Sequence, residues 1–492
     1  MPISRWKKAD ILIYLGLFLI VFIVLLIDST YSPINFRRMH VDSSVYVTIT
    51  QGITRGQLPY RDFVDNKGPV LYLINALGMI LGNFIGVWII ELVFMCVTVF
   101  FAYKTALFFE NKYIAFGGVV CSLIVFQTFF YEVAGSEEYA LPFMMISKYI
   151  FVKHYFIQKE TPVHELISLG ICFAITFFLR TNMFPLWLGF CAIITMESIH
   201  ERKILSILKY ILFFLAGILI IAIPIFLYLY HNNAFNDYIY QVFTVGNARA
   251  FNGFSFVYFV ESFFIIIGKN YCYIPLLLYS AWLIKNYKNV NRNLIIGLLV
   301  AYLLTVFFLA VIRTNYDHYN MVLLPYLVPA FSFCVKYIFI YFSNIKYKNI
   351  ISVLFLCIVF AMSLFYWSYC VLRVITDDSR ISVMEAGKII DLNTGKDDTI
   401  ISLGNDCDIY LFSKRKPASR YIYQTSGARY DKNAQNEFIH DIKHNKPKII
   451  SIQEEGGQYN YLPEWYSPVY CMIAEEYQLL SSENGYFLFI RN

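Results

Sequence analysis

His40-Val41-Asp42-Ser43-Ser44-Val45-Tyr46, followed by Gly56-Gln57-Leu58-Pro59-Tyr60-Arg61-Asp62-Phe63-Val64-Asp65-Asn66-Lys67-Gly68-Pro69, is polar sequence enclosed by two long apolar runs, 10–28 and 84–103. A stretch of carboxylates and bases between two membrane-length runs is the loop of a polytopic membrane protein, and the rest of the chain agrees. Of its 492 residues, 58% are apolar and 15% charged, where soluble domains carry about 25% charged. The charges are uneven. Residues 371–492 hold 14 Lys/Arg and 17 Asp/Glu, an ordinary soluble composition, while 1–370 hold only 43 charged residues. The chain therefore reads as a membrane domain, 1–370, and a soluble tail, 371–492.

A spanning helix needs roughly 20 mostly apolar residues at about 1.5 Å rise each. About eleven runs qualify: 10–28, 84–103, 113–131, 139–157, 164–180, 182–198, 208–230, 271–285, 294–312, 319–341 and 350–370. The first is too long for a signal-peptide core, and no small-residue cleavage site follows it. With the N-terminus inside, the inner loops collect Lys7, Lys104, Lys112, Lys153, Arg202, Lys285 and Lys346, as basic residues prefer. The first outer loop, 29–83, breaks that rule with Arg37, Arg38, Arg55, Arg61 and Lys67, and so calls for a functional explanation. The run 69–82 reaches only about 21 Å and would invert every later loop if it crossed, so it reads as a helix lying in the outer interface, opened by Pro69 at N1. Residues 256–268 read the same way, and eleven spans leave the tail outside.

The tail reads as a small α/β domain with a mainly parallel sheet. Its expected strands are 399–403, 420–423, 448–452 and 486–490, with helices at about 407–413 and 433–444. Gly404-Asn405 follows a strand, but no dinucleotide fingerprint or P-loop completes it. The net charge of +6, divided as +9 on the membrane part and −3 on the tail, is too small to argue for nucleic acid. The ten cysteines include no CxxC and no zinc spacing, and no Ser/His/Asp arrangement is legible.

Four places carry candidate chemistry. In the first loop, Asp42, Arg61, Asp65 and Lys67 stand beside the interfacial helix. Lys67 lies at that helix's N-terminus, where free N–H groups already favour an anion such as a lipid-linked phosphate. The plain alternative is that Asp42 caps a helix 43–55 and Lys67 snorkels. Gly135-Ser136-Glu137-Glu138 opens the fourth span with two adjacent carboxylates, more than a helix dipole needs. Arg180 sits in a tight turn between spans, and Arg313, His318 and Tyr319 precede the tenth. Outside the loops stand Glu91, Lys148 and Lys336 in spans and Glu261 in the apolar run 256–268. A mid-membrane charge costs about 2.5–3.5 kcal/mol on insertion scales, so Glu91 is expected to face protein or to be protonated, and no role is assigned to it.

On these residues the chain resembles the polytopic GT-C glycosyltransferases, in the bacterial branch that includes the protein O-mannosyltransferases and the lipid A aminoarabinose transferase. The resemblance covers residues 10–330 in layout and is strongest over 36–85 and 131–145. Asp42, Lys67-Gly68-Pro69 and Gly135-Ser136-Glu137-Glu138 fall where that family has an acidic residue after the first span, a Lys-Pro-like opening of an interfacial helix and a second acidic motif. Gly68 interrupts the Lys-Pro pattern, and Asp65 lies two residues before Lys67 where the family's metal-binding Glu lies one before, which leaves a divalent metal open.

The resemblance implies a sugar donor on polyprenyl phosphate, a cell-envelope acceptor (glycan, teichoic acid or protein) on the outer side of a bacterial plasma membrane, and inversion at the anomeric carbon. It implies Asp42 as general base, Lys67, Arg180 and Arg313 as phosphate contacts, and Arg61, Asp65, Glu137, Glu138, His318 and Tyr319 around donor and acceptor. A transporter or polymerase of lipid-linked glycans is the rival reading. It expects charges lining a path through the spans, whereas here they gather in loops on one face. A plain membrane anchor for the tail leaves the first loop unexplained.

Overall fold

A computed structural model describes residues 8–127, 134–157, 160–245, 255–268, 273–288, 290–311, 316–343, 368, 371–372, 374–377, 379–424, 428, 431–455, 458–459 and 464–492. The chain divides into two compact units. One comprises Met1–Ser32, Trp88–Leu227 and Asn247–Val371, and the other Pro33–Val87, Tyr228–Gly246 and Leu372–Asn492.

The first unit is helical and belongs to a multi-pass membrane protein. Ten of the eleven expected runs coincide with helices, among them Lys8–Asp28, Lys112–Gln127, Ser136–Phe156, Val163–Leu179, Pro185–His200 and Arg292–Val311. The eleventh, 350–370, lies outside the described residues except for Ser368. Among the described residues, five helical stretches are long and apolar enough to cross a membrane: Asp10–Asp28, Pro69–Ala106, Ile204–His231, Arg292–Val311 and His318–Ile340. Ile204–His231 turns Leu205, Leu208, Leu212 and Ile220 outward, which water would penalise and lipid does not. The helices Pro185–His200 and Arg292–Val311 pack at backbone contact: a Cβ on Gly189 would lie 2.7 Å from the Ala301 Cα. Small residues at such crossings give transmembrane helices their van der Waals contact, since lipid tails are as apolar as leucine. A seven-residue 3₁₀ helix, Asp317–Leu323, leads into Leu324–Ser343.

The second unit contains the expected short helix 69–82. Pro69–Ala106 is broken at Gly82-Asn83, where Asn83 takes φ +53°, so 69–82 and the run after it are two helices joined by a sharp reversal. They cross tightly: a Cβ on Gly78 would lie 2.8 Å from the Val87 Cα. The helix expected at 43–55 is Val41–Thr54, with His40 at its N-cap. Asp42 therefore sits inside the first turn and does not cap the helix, which releases its carboxylate for other partners.

The tail folds around a six-stranded sheet. Strands β1 (Thr399–Leu403), β2 (Lys416–Pro417), β3 (Ile449–Glu455), β4 (Gln458–Tyr459), β5 (Tyr477–Ser481) and β6 (Tyr486–Arg491) are ordered β2-β1-β3-β6-β5, with β4 on β3. β1 is parallel to β2 and β3, whereas β6 is antiparallel to β3 and β5. The expected mainly parallel sheet is thus parallel in one half only. The expected strand at 420–423 is absent because its polar groups are taken elsewhere: Val64 N–H donates to the Arg420 carbonyl, and the Gln424 amide donates to the Ser402 and Tyr421 carbonyls. The two-residue β2 replaces it. The β5–β6 hairpin turns through Asn484-Gly485, both at positive φ, a pairing whose sequence is itself a hairpin signal. The helices Asp408–Ser413 and Lys432–Asn445 match expectation.

Arg38 is built into this unit. Its guanidinium pairs with Asp406 and lies 3.2 Å from Asp408, with Tyr486 Oη 2.6 Å away. Both carboxyl groups are buried. Burial and the Asp406 charge hold the Asp408 carboxyl well above the usual carboxylate range. Burial opposes ionisation of Asp406 too, but a hydrogen bond from Asp408 and the Arg38 charge outweigh it and hold Asp406 below that range. The signs are opposite. Asp408's contribution to stability is complete below its unfolded value near 3.9 and is lost as pH rises toward its folded value. Asp406's is present above the unfolded value and is lost as pH falls through the folded one. Asp408→Asn, which keeps a donor for Asp406 and an acceptor for Arg38, should therefore flatten the decline in Tm of the full chain as pH rises above the ordinary carboxylate range. Arg38→Met should destabilise it by about 3–5 kcal/mol, because two buried carboxyls lose their cation. Thermal unfolding of the detergent-solubilised protein across pH reads both; a variant Asp408→Asn with the parental pH slope contradicts the assignment.

Candidate functional site

In the second unit, Asp42 and Lys67 come together. The first turn of Val41–Thr54 presents Asp42, and Lys67 arrives two residues before the Pro69 helix; Lys67 Nζ lies 3.5 Å from Asp42 Oδ2. Tyr46, one turn after Asp42, donates to the same oxygen at 3.0 Å, and its ring centroid is 5.6 Å from the ammonium. The Asp42 side chain is 32% exposed and Lys67 11%, so the carboxylate stays open to a ligand while the cation is sheltered.

The loop that delivers Lys67 is held from several sides. Tyr60 has φ +70°, rare for a bulky residue, and is fixed by two bonds: its hydroxyl donates to the Lys67 carbonyl at 2.7 Å, and Gln241 Nε2 donates to its own carbonyl at 2.7 Å. Its ring meets Tyr72 and Tyr238 edge-on. Asp65 is buried beneath. Its carboxylate accepts from Tyr72 Oη, from Tyr423 Oη at 2.8 Å and from the Asn66 N–H at 2.6 Å, while its own N–H donates to Gln241 Oε1. These partners spend their hydrogens on the carboxylate, a donor set that does not suit a cation, and among the described residues no group of three metal-ligating side chains occurs. Arg61 turns to the surface, where it forks onto Asp62 at 2.9 Å. Tyr60, Tyr72, Gln241 and Tyr423 are not legible as site residues in the sequence; among so many tyrosines these carry no signal.

In the first unit, Gly135 leads into the helix Ser136–Phe156 and both following glutamates are buried. Glu137 pairs with Arg180 and accepts from Ser136 Oγ at 2.7 Å. Glu138 accepts the Ala134 N–H at 2.9 Å. Arg180 ends the helix Val163–Leu179 in extended conformation (φ −158°), and its guanidinium lies 4.0 Å from the Tyr319 ring centroid. His318 packs edge-on to Tyr319 at 4.5 Å and stacks on Tyr316. Glu137, Arg180, Asn182, Thr305 and Tyr319 line a small cavity. Glu91 faces protein, as expected, and accepts from Ser29 Oγ at 2.6 Å. Arg313 lies outside the described residues.

Removing the cation from a buried pair costs more than removing the pair, because the remaining charge stays desolvated. Arg180→Gln is expected to lower stability by about 3–5 kcal/mol, and the double variant Arg180→Gln/Glu137→Gln to recover part of that loss. A double-mutant cycle on Tm measures it; additive losses would refute the pairing.

A family described as "Putative competence-induced protein Ccs4 N-terminal domain" matches residues 7–330. No curated protein matches the chain in sequence. In structure it is similar to ArnT from Cupriavidus metallidurans bound to undecaprenyl phosphate, with a TM-score of 0.67, 10% identity and 98% of each chain covered. The apo state of that protein gives 0.62 at 11% identity, again over 98% of each chain. An oligosaccharyltransferase from Archaeoglobus fulgidus, tethered to an acceptor peptide containing the NVT sequon, gives 0.53 at 11% identity, over 97% of this chain and 74% of that one. These are GT-C glycosyltransferases, and the resemblance expected from Asp42, Lys67 and Glu137 is borne out as a shared fold.

Proposed function

The chain belongs to the Ccs4 N-terminal-domain family, and we propose that it is a membrane glycosyltransferase that moves a sugar from a polyprenyl-phosphate donor to a cell-envelope acceptor, with inversion. The observation that carries this reading is the Asp42–Lys67 pair, a half-exposed carboxylate beside a sheltered cation at the opening of a short helix. The fold shared with a protein that holds undecaprenyl phosphate, and with another that holds an acceptor peptide, supports both substrate classes.

Inversion at the anomeric carbon needs a base for the acceptor hydroxyl and a cation for the phosphate that leaves. Asp42 is the base. Lys67 at 3.5 Å and the Tyr46 hydroxyl at 3.0 Å fix its direction, leaving its open side for the acceptor. Lys67 takes the charge that grows on the leaving phosphate, where a pre-placed cation stabilises the transition state more than the ground state. Arg180 and Arg313 are further phosphate contacts, and Glu137 aims Arg180. Glu138, His318 and Tyr319 face donor or acceptor hydroxyls. Asp65 positions the loop that carries Lys67, and Arg61 meets the acceptor from the surface.

The eleven spans, an inner N-terminus and an outer tail in a bacterial plasma membrane belong to the same reading. The tail, 371–492, covers the site or holds the acceptor.

Purified full-length protein in liposomes, supplied with radiolabelled sugars on polyprenyl phosphate and a mixture of envelope acceptors, tests it. Asp42→Asn should reduce label transfer by about 10²–10⁴-fold with the protein normally folded. Lys67→Met should lower kcat more than it raises KM, since its cation acts on developing charge. Equal turnover by the parent and Asp42→Asn would remove Asp42 from the chemistry.

A further inference from the structure

Residues 420–423, which the sequence offers as a strand, serve another end in the fold. Tyr421, Ile422 and Tyr423 are buried, and the segment is fixed at both ends. At one end the Arg420 guanidinium donates to Glu437 Oε2 at 3.0 Å and to Asp237 Oδ1 at 3.4 Å. At the other end stands Gln424, wholly buried. Its Oε1 accepts from the Gly404 N–H at 2.8 Å and from Tyr466 Oη at 2.9 Å, and its amide donates to the carbonyl of Ser402 in β1. A segment held in this way presents its remaining polar groups at fixed points.

Those points fall on the loop that delivers Lys67. The Arg420 carbonyl accepts the Val64 N–H at 2.9 Å, and Tyr423 Oη donates to Asp65 Oδ1 at 2.8 Å. The tail thus grips the first loop two and three residues before the ammonium. The two grips differ in kind. The bond from Val64 joins two neutral backbone groups. The bond from Tyr423 answers a buried charge, on an oxygen that also takes the Asn66 N–H at 2.6 Å. Taking a donor from a buried acceptor costs about 1–3 kcal/mol, and more for a charged group. Turning the carboxylate toward water relieves that cost, and Lys67 lies two residues along the same loop.

We infer that Tyr423 is a positioning residue for the transfer reaction: from the tail, and through Asp65, it keeps the Lys67 ammonium beside Asp42. The inference rests on the reading of Asp42 and Lys67 given above. It gives the tail a part in catalysis that needs no contact with either substrate. It also sets Tyr423 apart from other buried hydroxyls of the tail. Tyr477 Oη donates to the Pro447 carbonyl at 2.7 Å, a bond made wholly within the tail.

The test compares Tyr423→Phe with Tyr477→Phe in the purified full chain, in liposomes with the donors and acceptors named above. Tyr423→Phe should lower kcat about tenfold and leave the donor KM within about twofold of the parent, as a small displacement of a group acting on the transition state does. Tyr477→Phe should turn over like the parent. In a Lys67→Met background, Tyr423→Phe should change kcat no further, because its effect passes through Lys67. A structure of Tyr423→Phe should place Lys67 Nζ beyond about 4 Å from Asp42 Oδ2, the limit of an ion pair. If Tyr423→Phe folds poorly, Asp65→Asn puts a neutral acceptor of the same shape on the same bond and should act in the same direction. Parental kcat in Tyr423→Phe, an equal loss in Tyr477→Phe, an equal loss with and without Lys67, or an unmoved Lys67 overturns the inference. Absence of transfer by the parent would instead sink the glycosyltransferase reading, and the Lys67–Asp42 separation in Tyr423→Phe would still decide this one.

Discussion

One carboxylate joins the three separate stretches of chain that make up the second unit. Asp65 comes from 33–87, accepts from Tyr423 in 372–492, and donates through its N–H to Gln241 in 228–246. A buried carboxylate is costly unless its lone pairs are answered, and here hydroxyls and an amide answer them. Gln241 then reaches on to the Tyr60 carbonyl, and Tyr60 to that of Lys67. The position of the Lys67 ammonium beside Asp42 is the end of this chain of bonds, so the geometry of the candidate site is inherited from a residue that does not face ligand.

The membrane unit obeys the same constraint with different means. Charges there are few, and each buried one has a specific answer: Glu137 the Arg180 guanidinium, Glu91 the Ser29 hydroxyl, Lys148 a carbonyl released by proline. Apolar packing holds the helices together, through close crossings such as Gly189 on Ala301 and ring stacking such as Phe151 on Phe190 at 4.3 Å. Polar contacts add direction to that packing. Arg180 illustrates it: burial of Glu137 demands a cation, and the extended end of the preceding helix lets Arg180 turn into the cavity.

What the sequence discloses follows from how far each force reaches. Spans are set by hydropathy over about twenty neighbouring residues, so ten of the runs are legible and coincide with helices. The reversal after the short helix is legible as well, because fourteen apolar residues are too few to cross and Gly82-Asn83 permits the left-handed turn. Strand 420–423 is misread because Tyr421-Ile422-Tyr423 has strand propensity, yet the Arg420 carbonyl is engaged by Val64, far away in the chain, and the Tyr421 carbonyl by the nearby Gln424 side chain. The β5–β6 hairpin was within reach through Asn484-Gly485. Among site residues, Asp42, Lys67, Glu137 and Arg180 stand out because a charge near a membrane boundary is rare. Tyr60 and Gln241 do not, because their roles come from backbone contacts that any residue type can hide.

That contrast bears on how a chain only 10% identical to another can share its fold over 98% of both lengths. An apolar helix facing lipid accepts almost any apolar side chain, so most positions of Ile204–His231 are constrained in character and not in identity. Identity is demanded only where geometry is specific: a glycine at a helix crossing, a carboxylate that must meet its cation, a proline that frees a carbonyl. Such positions are a small fraction of the chain. Low identity is therefore the expected condition of this architecture, and the residues that carry information are the sparse polar ones whose partners the fold brings together.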